Sequence, residues 1–300
     1  MTALWAVELR RFAARRLMRM ILLLIVVGIL VASTIVFFRS SQTQVPAEMS
    51  VVVHPGGRVE CLGDSFGMSG RPPGDQTPQE FCDSFASQVS GDRGFRLTSL
   101  REAWLGLGGQ LITIAWLLGA SFAGAEWHTG SMATLLTWEP RRTRVFVAKL
   151  LACLVLVYLG AVLMEALLGL ALLPAAVFRG STAGAGAEWL RESAGLVGRV
   201  GLACCSGAAL GYGLAMVGRN TAASLGVGFG YLLIGENLIR GFRPQWSDWL
   251  LVDNTAAFLE GARAQLIPGR STVEAAAVVA VYSGVALLAG WILFTRRDVT

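Results

Sequence analysis

Three ionisable residues, Glu165, Arg199 and Glu236, sit inside long apolar runs, where a charge is costly unless it is paired or wet. They are the first candidates for chemistry. One expectation is that Arg199 bridges Glu165 and Glu236 and helps to close the outer end of a pathway. The other is that each side chain snorkels separately to the headgroups. A proton relay would need a ladder of carboxylates continuing through the spans, and none does.

A second cluster lies in GAEWHTGSMATLLTWEPRRTRVFVAK, Gly124 to Lys149. It holds Glu126, Trp127, His128, Thr129, Glu139, Arg141 and Arg142, between two strongly apolar stretches. Ala125–Trp138 consists mostly of residues that tolerate a helix, and Pro140 ends it. Trp127, Leu135 and Trp138 are large apolar groups beside water, so a partner or the headgroup zone should cover them. On the residues alone, two readings fit equally: a helix that a motor subunit could push, or an interfacial connector with tryptophan anchors.

Other chemistries find less support. The sequence has no Walker phosphate loop, so nothing indicates nucleotide hydrolysis on this chain. With two histidines and no CxxC, no metal site is expected. No clustered catalytic set stands near an interface, so the chain is not expected to be an enzyme. Cys153, Cys204 and Cys205 fall in apolar runs and read as small apolar side chains. Cys61 and Cys82 lie in a polar loop. There they either form a disulfide closing about 20 residues, worth about 3 kcal/mol, or remain two free thiols.

These residues must be held by something, and composition says what. The chain of 300 residues is 54% hydrophobic and only 15% charged, with mean hydropathy +0.58. Soluble domains carry about 25% charged residues, so much of this surface should face a bilayer. The net charge of +5 comes mostly from arginines beside apolar runs. That is the positive-inside pattern of a membrane protein, and nucleic acid is not an expected partner.

Six runs are long and apolar enough to span: Met20–Phe38, Ala103–Gly124, Val145–Val177, Ala194–Val217, Thr221–Ile239 and Val273–Phe294. The first ends in IVFFRSSQ without a small-residue cleavage pattern, so it is expected to be retained. Pro174 falls near the end of the third, where helix termination is cheap. Arginines before span one, at Arg141, Arg142 and Arg144, at Arg219, and at Arg296 and Arg297 all fall on one side if the spans alternate. That side is expected to be cytoplasmic, with both termini. At helical depths Glu165 lies about 30 Å beyond Arg144, Arg199 about 30 Å from Arg219 and Glu236 about 25 Å from Arg219, all in the outer half. Gly207-x-x-x-Gly211 and Gly226-x-x-x-Gly230 predict close helix packing.

Residues 1–19 predict an amphipathic helix in the headgroup plane, with Trp5 on its apolar face and Arg11 and Arg15 opposite; the plainer alternative is an extension of span one into the cytosol. Residues 39–100 form a long outer loop and 241–272 a second outer segment.

The order Gly124-Ala-Glu-Trp-x-Thr-Gly130, then Leu135-Leu-Thr137, Pro140-Arg141 and Ala148-Lys149 resembles the type-2 permease family of ATP-binding-cassette (ABC) exporters. The ending Phe294-Thr-Arg-Arg-Asp298 is similar to that family's usual ending. The resemblance implies an all-α integral membrane protein in which residues 1–300 are a single transmembrane domain. An elbow helix would precede six spans, and re-entrant outer helices would lie between spans five and six. It implies a coupling helix at about 125–140, docking on a separate ATPase subunit through Glu126, Trp127, His128, Thr129, Glu139, Arg141 and Arg142. The chain itself would carry no cofactor, with ATP and Mg on the partner. A second copy or a related permease would complete the dimer in a bacterial cytoplasmic membrane, and an apolar or amphipathic drug, lipid or peptide would be exported. The competing class is a membrane anchor or sensor whose outer loop binds a ligand. A secondary transporter would call for inverted repeats, and none is evident.

Overall fold

The computed structural model describes residues 16–40, 50–54, 58–63, 66–70, 77–78, 82, 94–261 and 270–297. The elbow-helix residues Trp5, Arg11 and Arg15, and Asp298 of the C-terminal motif, lie outside the described residues. Among those described, six helices are long and apolar enough to cross a membrane. They are α1 (Arg16–Arg39), α2 (Leu100–His128, preceded by a 3₁₀ turn at Leu97–Ser99), α4 (Arg142–Arg179) and α5 (Ala187–Gly218). The fifth is composite: α6 (Thr221–Gly230), a π-helical Tyr231–Gly235 and α7 (Glu236–Phe242). The sixth is α9 (Thr272–Arg296). Two shorter helices, α3 (Ser131–Trp138) and α8 (Leu251–Glu260), lie in the connections. Each apolar run recognised in the sequence lies within one of the six. The third runs past Pro174 to Arg179, so the proline sits inside the last turns without ending the helix.

The chain divides into two compact units. The first comprises Met1–Ile29, Arg101–Gly169 and Gly186–Thr300. Its centre is α5, 67% buried over its most apolar stretch, against 11% for the α6–α7 helix, which is therefore left for lipid or a partner. Glycine explains that centrality. A Cβ on Gly211 would strike the Trp116 carbonyl oxygen, and one on Gly207 would come within 2.8 Å of the Ile112 oxygen. A Cβ on Gly290 of α9 would come within 2.8 Å of the Gly213 oxygen. So α2 and α9 both lie backbone-close on α5, as small-residue faces allow. Gly226 and Gly230 meet nothing within 4 Å, so this second motif packs nothing in the described chain.

The second unit comprises Leu30–Leu100 and Leu170–Ala185. The described chain is mostly helical, as expected, but the long loop of this unit carries a small sheet. Strands β1 (Ser50–His54), β2 (Arg58–Gly63) and β3 (Phe66–Gly70) form an antiparallel sheet in the order β1-β2-β3. Val51 pairs with Cys61 and Val53 with Val59 across the first ladder. The run Val51-Val-Val53 is β-branched and favours a strand, but it does not alternate with polar residues and is too short for hydropathy to set it apart from a loop. Cys61 and Cys82 are joined in a disulfide with Cα atoms 5.6 Å apart. They are fully buried, and with Val59 and Val51 they make the sheet's small core. Cys61→Ser is expected to remove about 3 kcal/mol from this unit by the loop-entropy account. Limited proteolysis should then cut within residues 50–82 while the apolar helices stay intact.

Candidate functional site

The charged segment after α2 is built around a turn. Helix α2 ends at His128, and Gly130 takes φ +68, a left-handed conformation that glycine adopts without cost. The expected helix over 125–140 is therefore two pieces, the last turn of α2 and the separate α3. The Thr129 hydroxyl bonds the Ala125 carbonyl at 3.1 Å and the Ser131 hydroxyl at 3.0 Å, which fixes the corner.

The seven residues singled out there divide by environment. Glu126 is buried, and its carboxylate takes the Lys149 ammonium at 2.7 Å, joining α2 to α4. Lys149 is 1% exposed and also lies over the Phe122 ring, 5.2 Å from its centroid. The Trp127 ring stands edge-on to Phe294 at 6.0 Å, and the Arg219 guanidinium covers it at 4.8 Å. Arg142 donates to the carbonyls of Phe294, Thr295 and Arg297, at 2.6–3.3 Å, and so caps α9. These three side chains face inward and lock α2, α4, α5 and α9 together. His128, Thr129 and Arg141 are exposed and Glu139 is half-buried. Trp138, at the end of α3, is 85% exposed. Arg142, Arg219 and Arg297 converge here, and Arg297 donates to the Val217 carbonyl at 3.4 Å, so three of the four arginine groups expected on one side do meet.

Lys149 and Tyr212 are the residues that sequence reasoning left without a role. The Tyr212 hydroxyl donates to the Phe146 carbonyl at 3.1 Å, both buried. A lysine one turn into an apolar span is a visible signal of a buried partner, and Glu126 is the acid at the matching depth on the preceding helix.

The intramembrane charges do not form the expected bridge. Among the described residues no ion pair joins Arg199 to Glu165 or to Glu236. Instead, two of the three serve opposite ends of α8. The Glu236 carboxylate accepts from the Val252 amide at 3.1 Å, at the N-terminus of α8, where Leu250 offers no side-chain cap. Arg240 pairs with Glu236 at 3.4 Å and with Asp253 at 2.6 Å. At the other end, Arg101 donates to the Glu260 carbonyl at 2.8 Å. The Arg199 guanidinium lies 3.3 Å from where a Cβ on Gly261 would stand. An anion at the amino end and cations at the carbonyl end complement the helix dipole, which explains why Arg199 and Glu236 stay apart. Glu165 is fully buried, and among the described residues neither carboxylate oxygen has a hydrogen-bond partner. The nearby Trp104 indole donates to the Glu165 backbone carbonyl at 2.9 Å, not to its side chain. Among the described residues no group of His, Cys, Asp and Glu is placed to hold a metal.

A family model described as "Protein of unknown function (DUF2705)" matches residues 66–300, most of the chain. No curated protein matches it.

Proposed function

Because this chain belongs to the DUF2705 family, whose description assigns no function, we propose a role for it from its own geometry and motifs. It is the membrane-spanning permease subunit of an ATP-driven exporter, powered by a separate ATPase subunit on the cytoplasmic side. The observation that carries this reading is the contrast within one short segment. Helix α3 leaves Trp138 uncovered by the described chain, while Glu126, Trp127 and Arg142 on either side are locked into the ends of α2, α4 and α9. A force on the exposed helix therefore passes into several long helices at once, and packed helices respond by shifting as units. The resemblance of Gly124–Lys149 to the coupling segment of type-2 permeases supports the same role. In this reading the role is divided: the exposed Trp138, His128 and Arg141 would meet the partner, and Glu126, Trp127 and Arg142 would anchor the segment behind them. Two permease halves and two ATPases would make the complex, and the cargo would be apolar or amphipathic.

The test is co-purification from native membranes in mild detergent. A Walker-type ATPase, identified by mass and by ATP hydrolysis, is expected to travel with the chain. Trp138→Ala should reduce its retention at least about tenfold, as loss of an exposed aromatic anchor does, with unchanged insertion. Labelling of a Trp138→Cys variant by an impermeant reagent on intact cells would overturn the assignment. A second reading, a membrane-anchored sensor, draws on the disulfide-braced sheet of residues 50–70; it expects function to persist without any ATPase.

A further inference from the structure

Between α2, α5, the α6–α7 helix, α8 and α9 lies a half-open cavity of about 770 Å³. Small-molecule sites run to roughly 300–1,000 Å³, mostly apolar with a few placed polar groups. This wall fits that pattern. Leu105, Ile112, Leu214 and Val227 line it, with the aromatic residues Trp116, Tyr231 and Tyr282. Among the described residues Glu260 is the one carboxylate in the wall, and no lysine, arginine or histidine lines it. Arg101 and Arg199 are close by: Arg101 donates to the Glu260 carbonyl and the Arg199 guanidinium stands beside Gly261, both at the carbonyl end of α8.

Two further features distinguish the cavity from an ordinary gap between helices. Tyr231 and Leu232 reach its wall from the π-helical turn Tyr231–Gly235, and such turns gather at functional sites. The tyrosine hydroxyls are already satisfied. Tyr231 and Tyr282 bond each other at 2.9 Å, and Tyr282 donates to the Trp249 carbonyl at 3.1 Å. What these tyrosines leave for an occupant is ring surface and acceptor oxygens, with both O–H donors already used.

We propose that this cavity binds hydrophobic cations of the quaternary ammonium or phosphonium type. The apolar body fills the space between the helices. The charge is held by the Glu260 carboxylate and by the electron-rich faces of the aromatic residues. An anion of the same shape gains the same apolar burial and loses to the carboxylate. As a statement of cargo class this rests on the permease reading, but binding itself requires no ATPase, so the two fail separately.

The experiment uses the purified chain alone in zwitterionic nanodiscs, titrated with radiolabelled tetraphenylphosphonium and with tetraphenylborate, its near-isosteric anion. Empty discs give the partitioning background. Saturable phosphonium binding is expected, with none for the borate. Glu260→Gln should weaken phosphonium binding about tenfold. Ala256→Phe fills the wall without changing charge and should abolish it. Each variant is used only if it elutes as the wild type does, and if Glu260→Gln does not, the borate and Ala256→Phe arms decide. Equal binding of both ions, an affinity unmoved by Glu260→Gln, or no saturable binding above empty discs overturns the proposal. Absence of an ATPase partner would remove the permease role and leave the binding site standing.

Discussion

Replacing Lys149 by methionine is expected to destabilise the protein by about 3–5 kcal/mol, because it takes the ammonium away from the buried Glu126 carboxylate. Glu126→Leu should cost a similar amount by removing the carboxylate that faces the buried ammonium. The double variant, Glu126→Leu with Lys149→Met, should recover most of the loss, since a buried ion pair replaced by apolar groups of similar size is often neutral or better. Unfolding of the four proteins in detergent, read as a double-mutant cycle, measures the coupling. Single variants that each cost under about 1 kcal/mol would show that the pair contributes little beyond what water supplied. The same cycle separates stability from coupling. On the permease reading proposed above, a pair that is a lever as well as a brace would leave a double variant that regains its stability while any ATPase co-purifying with it no longer responds to cargo. If the pair is only a brace, both recover together.

The residues involved show what a linear reading can and cannot reach. A span is a local property: twenty or so apolar residues in a row need no knowledge of their neighbours, and all six runs fall within helices of the structure. The convergence of Arg142, Arg219 and Arg297 was legible for a related reason, because alternation of spans fixes sides whatever the packing. The pairing of charges was not. Whether Arg199 meets Glu236 or the end of α8 depends on helix rotation and on a short helix whose ends are themselves charged poles. Depth along a span orders such groups along the helix axis, but depth has no angular component. Within Gly124–Lys149 the segment was legible as a unit, while the division into anchors and surface turned on Gly130 ending α2. The sheet of residues 50–70 escaped because its strands are short and its core is a disulfide with two valines, too small to leave an apolar signature.

Two identical-looking glycine motifs make the last contrast. Gly211→Ala is expected to cost about 1–3 kcal/mol, the usual penalty for forcing a methyl into a filled space. Here the new Cβ would collide with the Trp116 carbonyl oxygen and approach the Ala120 nitrogen to 2.9 Å, and backbone yields less readily than a side chain. Helix α5 would be pushed off α2, and because α9 packs on α5 as well, the whole first unit should lose thermal stability. Gly226→Ala, in the same spacing pattern, meets open space within 4 Å. It should be neutral, or stabilising by up to about 1 kcal/mol through better helix propensity. Thermal unfolding of the two variants in detergent, side by side, tests the contrast, and equal effects would mean that α5 does not approach α2 as described. The exposed motif also has a use in locating a partner. Small residues drive helix association where backbones can approach, and Gly226 and Gly230 offer that on the least buried of the six long helices. A Gly226→Ala variant that keeps its monomer stability but runs as a smaller species in native gels would place the contact with a second copy on α6.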